Sequence, residues 1–205
     1  MLIWTPGTSW AGIPPGADIR WAYPAWSCHH PGMSDHRPRI RGAELRDLPV
    51  LRDIEWAAGE AFRDVGMDLV ADDEPASIEE LAGYAERGHA WVAVDDADTP
   101  VAYLIAEPVD GALHIEQVSV HPKAAGRRVG QELVEHLAEV ARAGNVPALT
   151  LTTFADVPWN GPYYQRLGFA TLADDEIGPG LREIRRREAE HGLDRWTRIC
   201  MRRVH

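Results

Sequence analysis

The sequence predicts an α/β (α+β) domain, with short β-rich runs alternating with amphipathic helices from about residue 37 to the C-terminus. Three observations carry this. The runs "HAWVAV", "PVAYLIAEP", "ALHIEQVSV" and "PALTLTTF" are rich in β-branched or aromatic residues and are bounded by turn residues. Between them lie stretches whose apolar residues recur at helical spacing. The chain of 205 residues is 45% apolar and 26% charged, which suits one soluble domain with a sizeable core.

The elements follow in order. Residues 1–36 differ from the rest: Trp4, Trp10, Trp21 and Trp26 are interleaved with Pro6, Pro14, Pro15, Pro24 and Pro31, and neither helical nor strand periodicity is present. They are expected to form an irregular, mostly disordered arm that is dispensable for folding. Docking by its tryptophans and a translation start at Met33 are the other two readings. Residues 37–205 form the domain. "PRIRGAEL" is a short strand. Asp47 is expected to cap a helix carrying Leu51, Ile54, Ala58 and Phe62. A loop follows over residues 63–75. Ser77 and Glu80 make a capping box for a second helix with Leu81 and Tyr84, stopped by Gly88. "HAWVAV" and "PVAYLIAEP" are strands joined by "DDADT", and "ALHIEQVSV" is a longer strand. The next helix lines up Val129, Leu133, Leu137 and Val140 on one face, turns Gln131, Glu132, Glu135, Glu139 and Arg142 to water, and ends at Gly144 and Asn145. "PALTLTTF" is a strand, "WNGPYYQRLGF" a short helix closed by Gly168, "LREIRRREAEHG" a late helix and "RWTRICMRR" a final strand.

Charge and composition exclude several function classes. A net charge of −11 argues against a nucleic-acid surface, because phosphate binding needs clustered Lys and Arg. No window reaches the apolar length of a membrane span, and the N-terminus lacks the pattern of a signal peptide. Cys28 and Cys200 stand far apart and make no disulfide framework, so a reducing cytoplasm is the expected setting. "CHH" at Cys28 to His30, with His36, lacks a second pair of ligands, and no metal site is expected.

The stretch "HPKAAGRRVGQELVEHL" carries the first chemical signal. A strand, a turn containing Gly126 and Gly130, and a helix together present free amides and a positive helix end to an anion. A Walker A loop is absent, and the three glycines of a dinucleotide fingerprint are absent too. Some thirty residues on, after one more strand, stands "YYQRLGF".

Taken together, "VSVHP", "AGRRVG", "ALTLTTF" and "YYQRLGF" resemble the GNAT acetyltransferase superfamily in identity and order, over roughly residues 38–205. The resemblance implies a central twisted mixed sheet with helices on both faces, and acetyl-CoA as co-substrate in a gap where two neighbouring strands splay. The cofactor-binding residues would be Ala125, Gly126, Arg127, Arg128, Val129 and Gly130 for the pyrophosphate, and the backbone of Val118, Ser119 and Val120 for the pantetheine arm. Asn160 would lie near CoA while capping the short helix. Two positions depart from the family pattern: Ala125 stands where Gln or Arg is usual, and Arg128 where the middle glycine is usual. A right-handed helical backbone is therefore expected at Arg128, with both arginines free to approach phosphate oxygens or simply facing solvent.

The same resemblance implies roles in catalysis. Tyr164 matches the family's tyrosine that protonates the CoA sulfur. Glu116 is the candidate general base, with His114 as a nearby substitute, and the N–H of Val118 is the candidate oxyanion donor. The acceptor is expected to be a small-molecule or peptide amine, with no nucleic-acid or membrane partner, and a homodimer is one possible assembly. The segments over residues 63–74 and 174–194 should shape the acceptor pocket. The alternative is a non-catalytic CoA-binding module of the same fold, acting as a sensor or scaffold.

Overall fold

The computed structural model describes residues 2–3 and 38–205. The arm expected over residues 1–36 lies outside the described residues, apart from Leu2 and Ile3. In chain order the elements are β1 (Leu2–Ile3), β2 (Arg39–Gly42), α1 (Leu48–Gly59), α2 (Asp68–Ala71), α3 (Ile78–Glu86), β3 (Ala90–Val94), β4 (Pro100–Val109), β5 (Ala112–Val120), α4 (Val129–Ala143), β6 (Ala148–Phe154), α5 (Gly161–Arg166), β7 (Ala170–Thr171), α6 (Pro179–Glu190) and β8 (Arg198–Val204). The sheet runs β2-β3-β4-β5-β6-β8-β7, with β1 added on β5.

Helices cover both faces of this mixed sheet. On one face Leu48, Leu51 and Ile54 of α1 and Leu81 and Tyr84 of α3 pack on Val92, Val94, Tyr103 and Ile105. On the other, α4 lays Val129, Leu133, Val134, Leu137, Ala138 and Ala141 on Leu104, Ile115, Leu149 and Leu151. The α4 stripe is thus wider than the four residues expected, because alanines at the close contacts are core as well. A separate aromatic cluster of Phe62, Phe154, Trp159 and Trp196 packs beside the far end of β6.

Among the described residues only β5 and β6 pair in parallel, with α4 crossing between them. Their pairing covers Leu113↔Leu149, His114↔Thr150 and Ile115↔Leu151 and then stops. β6 continues along β8 as far as Phe154↔Arg198. From Glu116 onward, therefore, β5 has no partner in β6, and a gap opens between them. Along that edge of β5 lies β1, with Leu2 opposite Ser119 and Ile3 opposite Val118. On its other side β5 pairs with β4, and the register shifts between Ile105↔Gln117 and Ala106↔Ile115. Glu116 is the extra residue of that bulge.

Two local expectations change. Asp47 stands at the start of α1 but its side chain does not cap it. Its carboxylate instead accepts from Arg41 at 2.6 and 3.0 Å and from the Glu44 N–H at 2.8 Å, since a guanidinium is a stronger partner than a helix amide. The loop after α1 also holds more structure than its acidic composition suggested: a 3₁₀ turn over Glu60–Val65 and then α2, with Phe62, Met67, Val70 and Ala71 buried. The Ser77–Glu80 capping box is present as expected.

Two long-range clasps hold α6. Asp110 and Gly111 form the β4–β5 turn, both with positive φ. The Asp110 carboxylate accepts from the Gly180 and Leu181 N–H groups at 2.9 and 3.0 Å, capping α6 from across the fold. A cap of this kind contributes about 1–2 kcal/mol. Asp110→Ala should lower stability by about that amount in a denaturant titration, and Asp110→Asn should recover part of it. At the other end of α6, Glu188 is buried against the fully buried Arg198 side chain and the Thr152 hydroxyl, with Arg185 at 2.5 Å.

Candidate active site

The helix mouth is built from the end of β5. His121 Nδ1 accepts from the Lys123 N–H at 3.1 Å and starts a 3₁₀ turn over Pro122–Ala124. The chain then extends at Ala125, and Gly126 has φ +77°. Nothing lies within 4 Å of where a Cβ would sit on Gly126, so conformation rather than space calls for glycine. Arg128 overturns the expectation of a right-handed backbone: it precedes α4 with φ 59° and ψ 14°. The turn needs a left-handed residue there, and a non-glycine side chain in that region costs about 1 kcal/mol. The first helical bond runs from the Glu132 N–H to the Arg128 carbonyl at 3.0 Å, so the amides of Val129, Gly130 and Gln131 precede the internal ladder. Arg127 and Arg128 are exposed. A groove of about 780 Å³ opens beside them, bordered by Arg39, Lys123, Arg127 and Val129.

Val118, Ser119 and Val120 line the β5 side of the gap with buried side chains. The Ser119 hydroxyl accepts from Gln117 Nε2 at 2.8 Å, so these three residues offer an incoming group their backbone. An extended backbone edge of this type pairs with any extended amide chain, as β1 does here.

Beyond the gap, α5 starts at Gly161, where a Cβ would meet the Ala155 carbonyl oxygen at 2.7 Å. That close approach seats α5 against the end of β6. Tyr164 is fully buried, in edge contact with Tyr163 and Phe169 at 5.4 and 5.6 Å. Its hydroxyl has no hydrogen-bond partner among the described residues, and burial pushes the phenol well above its ordinary pKa, so it stays protonated. Asn160 precedes α5, but its side chain does not cap the helix, contrary to expectation. Its backbone carbonyl takes the Tyr163 and Tyr164 N–H groups instead, at 2.9 and 3.0 Å. The Asn160 side chain is left fully buried, with neither amide atom partnered among the described residues. Buried polar atoms are partnered in nearly all proteins, so a tyrosine hydroxyl and an amide orphaned together fit a bound polar group.

Glu116 sits at the bulge, which re-aims a side chain that regular pairing would send elsewhere. The nearby Ile115 and Val118 of the same strand belong to the α4-side core with Tyr164. The charge of Glu116 acts instead on Tyr84 of α3. The candidate base and the candidate acid therefore approach the strand gap from different sides. His114 is fully buried, with Nδ1 3.0 Å from Thr150 Oγ1 and Nε2 3.9 Å from Glu116 Oε1. Burial pushes its imidazole down to about 4, so it is neutral near pH 7.

Glu107 escaped the sequence reading, and Tyr84 was read there only as a packing residue of its helix. Glu107 stands opposite His114 across the β4–β5 hairpin. Burial pushes its carboxyl up, against the hydrogen bond with Glu116 and the charges of Arg87 and Arg187. A sequence signal for it existed in "VDGA": a two-residue Asp110–Gly111 turn fixes the register and sets Glu107 against His114.

Among the described residues no group of three or more His, Cys, Asp or Glu side chains comes together as a metal site. Cys28, His29, His30 and His36 lie outside the described residues. No helix among the described residues is long and apolar enough to cross a membrane.

Comparison with known proteins agrees with this geometry. Residues 49–169 match the model of the acetyltransferase (GNAT) family. The chain is 26% identical over 115 residues to the peptidyl-lysine N-acetyltransferase YjaB of Salmonella typhimurium, covering 56% of this chain and 73% of that protein. The PaiA N-acetyltransferase of Thermoplasma acidophilum, solved with coenzyme A, has a similar fold: TM-score 0.62 at 12% identity, over 82% of this chain and 98% of the other. The ribosomal-protein-S18-alanine N-acetyltransferase of Escherichia coli gives TM-score 0.56 at 18% identity, over 81% and 92%. A strand gap, a glycine-bearing helix mouth and a buried tyrosine in "YYQRLGF", within a matching family model that spans more than half the chain, make this protein a member of the GNAT acetyltransferase family.

Proposed function

We propose that the protein transfers an acetyl group from acetyl-CoA to a primary amine by direct attack. The observation that carries this reading is the pair of buried, unpartnered groups beside the strand gap, the Tyr164 hydroxyl and the Asn160 amide. Folding leaves polar atoms in that state at a cost of about 1–3 kcal/mol each, a cost that a bound polar partner offsets.

In this reading the amides of Gly126 to Gly130 hold the pyrophosphate, aided by Arg127 and Arg128. Ala125 lends only backbone. Val118, Ser119 and Val120 pair with the pantetheine arm, and Asn160 bonds to it from the α5 side. The Val118 N–H receives the oxyanion. Glu116 takes the amine's proton, and Tyr164 gives its own to the departing thiolate. The name of the Salmonella relative specifies a peptidyl-lysine, and a lysine side chain is one acceptor of this class. A cytoplasmic setting belongs to the same reading, with Cys200 kept as a free buried thiol.

A panel of amines assayed for release of free CoA tests the reading. Amine-dependent release supports the transferase. Tight CoA binding without release across the panel would favour the non-catalytic module. Calorimetry tests the cradle: Gly126→Val should weaken acetyl-CoA binding about 5- to 30-fold, because valine resists the left-handed backbone by about 1–2 kcal/mol. Unchanged affinity would put the cradle elsewhere.

A further inference from the structure

The outer side of α1 is partly apolar where a surface helix is usually polar. Leu48, Leu51, Ile54 and Glu55 are its buried side, and Glu55 accepts from the Tyr103 hydroxyl at 2.5 Å. Pro49 and Trp56 lie on the other side at helical spacing, with Arg52 and Asp53 between them. A groove of about 720 Å³ opens between that side of α1 and the chain from Asp72 to Ile78. Trp56 is 51% exposed and Ile78 41%. Single apolar side chains on a surface need no explanation, but two large ones on one groove mark a contact surface.

The charge around this groove is one-sided. Residues 52–80 hold ten Asp or Glu residues against two Arg, so most of the chain's net charge of −11 lies in this segment. Asp53, Asp72 and Glu74 rim the groove. The two arginines hold the rim loosely. Arg52 Nη2 donates to Glu74 Oε1 at 3.3 Å, and that carboxylate is 86% exposed. Arg63 is shared among Glu60, Asp68 and Asp72. Exposed pairs of this kind contribute little, so an incoming cation can replace them.

We propose that this groove docks a basic, partly apolar segment of a partner protein. A guanidinium of the segment stacks on Trp56 between the rim carboxylates, and a neighbouring apolar side chain packs on Pro75 and Ile78. Tryptophan is the best aromatic face for a cation, and a guanidinium lies flat on it while its edge still pairs with carboxylates. Arg52 Nε, buried with no hydrogen-bond partner among the described residues, supplies a donor for a backbone carbonyl of the segment. Nucleic acid and anionic membrane are repelled by the same charge that attracts the segment. A second copy fits less well. The chain's own arginine-rich helix, α6, already pairs Arg186 with Glu183 and Glu190, and Arg185 with Glu188 and Asp194. The thickness of α1, about 10 Å, separates the groove from the sheet. Docking there leaves the strand gap open and does not depend on the transferase reading.

The experiment titrates the full chain, labelled with nitrogen-15, with short acetylated peptides and follows the Trp56 indole N–H. Its signal is the one missing from Trp56→Phe. The first peptide carries arginine and leucine with glycine spacers. The others replace arginine by lysine, arginine by glutamate, or leucine by glycine. The arginine–leucine peptide should shift the Trp56 signal to saturation. The lysine version should bind about 2- to 5-fold more weakly, having lost the stacked guanidinium. The leucine-free version should bind about 5- to 30-fold more weakly, and the glutamate version should leave the signal unmoved. Trp56→Ala should raise Kd for the first peptide about 10- to 100-fold, and Asp53→Lys about 3- to 10-fold. Both residues are exposed, so the thermal midpoint of each variant should stay close to wild type. Equal binding by the leucine-free peptide, or an unchanged Kd in Trp56→Ala, would reduce the attraction to diffuse charge and overturn the proposal. A Trp56 signal that moves with protein concentration alone would make a second copy the occupant, which overturns it as well. So would a signal that no basic peptide shifts.

Discussion

Tyr164→Phe should lower kcat by about 10²- to 10⁴-fold, the usual contribution of a general acid or base, while acetyl-CoA affinity and stability stay close to wild type. The change deletes one hydroxyl and keeps the ring. Edge contacts with Tyr163 and Phe169 at 5.4 and 5.6 Å belong to the ring, so packing survives. The hydroxyl bonds to nothing in the described protein, so its removal breaks no protein hydrogen bond. Stability should hold or rise slightly, since a buried polar atom is being removed. This combination separates a catalytic role from a packing role: a structural tyrosine would change the thermal midpoint and leave kcat alone. Pre-steady-state and steady-state rates on any acceptor that releases CoA provide the measurement. Full kcat in Tyr164→Phe would mean that the thiolate, with an intrinsic pKa near that of cysteine at about 8.5, leaves unaided.

Glu188→Ala should be the most destabilising single change proposed here, by roughly 3–5 kcal/mol. The Arg198 side chain is fully buried between Glu188, the Thr152 hydroxyl at 3.0 Å and the Phe154 ring, whose centroid lies 4.4 Å from the guanidinium carbon. Removing the carboxylate strands that cation in the interior. For a chain of this size the thermal midpoint should fall by roughly 10 °C. Replacing Glu188 by Leu and Arg198 by Met together should recover much of the loss, because desolvating two charges costs about as much as their attraction returns. A drop below about 1 kcal/mol in Glu188→Ala would mean that water reaches the pair.

The sequence carried local information well and long-range information poorly, and the reasons are physical. The α4 stripe and the Ser77–Glu80 box are read from residues a few positions apart, because one backbone geometry fixes both partners. The helix mouth and "YYQRLGF" were legible because short motifs set their own turns. The left-handed backbone at Arg128 was not, since nothing local forbids a right-handed residue there and the demand comes from how β5 meets α4. Asp47 looked like a cap because the competing partner, Arg41, precedes the helix and pairs with it only through the fold. Asp110 capping α6 and Glu188 facing Arg198 join elements that no spacing rule connects. The bulge at Glu116 is a property of two strands together, so Glu116 could be named from its strand but not aimed. Asn160 was placed at the right helix end, yet its freedom from capping shows only once burial is known.

The pairing of Leu2 and Ile3 with Ser119 and Val118 has a thermodynamic consequence. If the pantetheine arm uses that edge of β5, the chain carries a tethered competitor for its own co-substrate. Its effective concentration is set by the connecting chain and does not change as the protein is diluted. Acetyl-CoA affinity measured on the full chain is then an apparent value, reduced by the fraction of molecules in which β1 is seated.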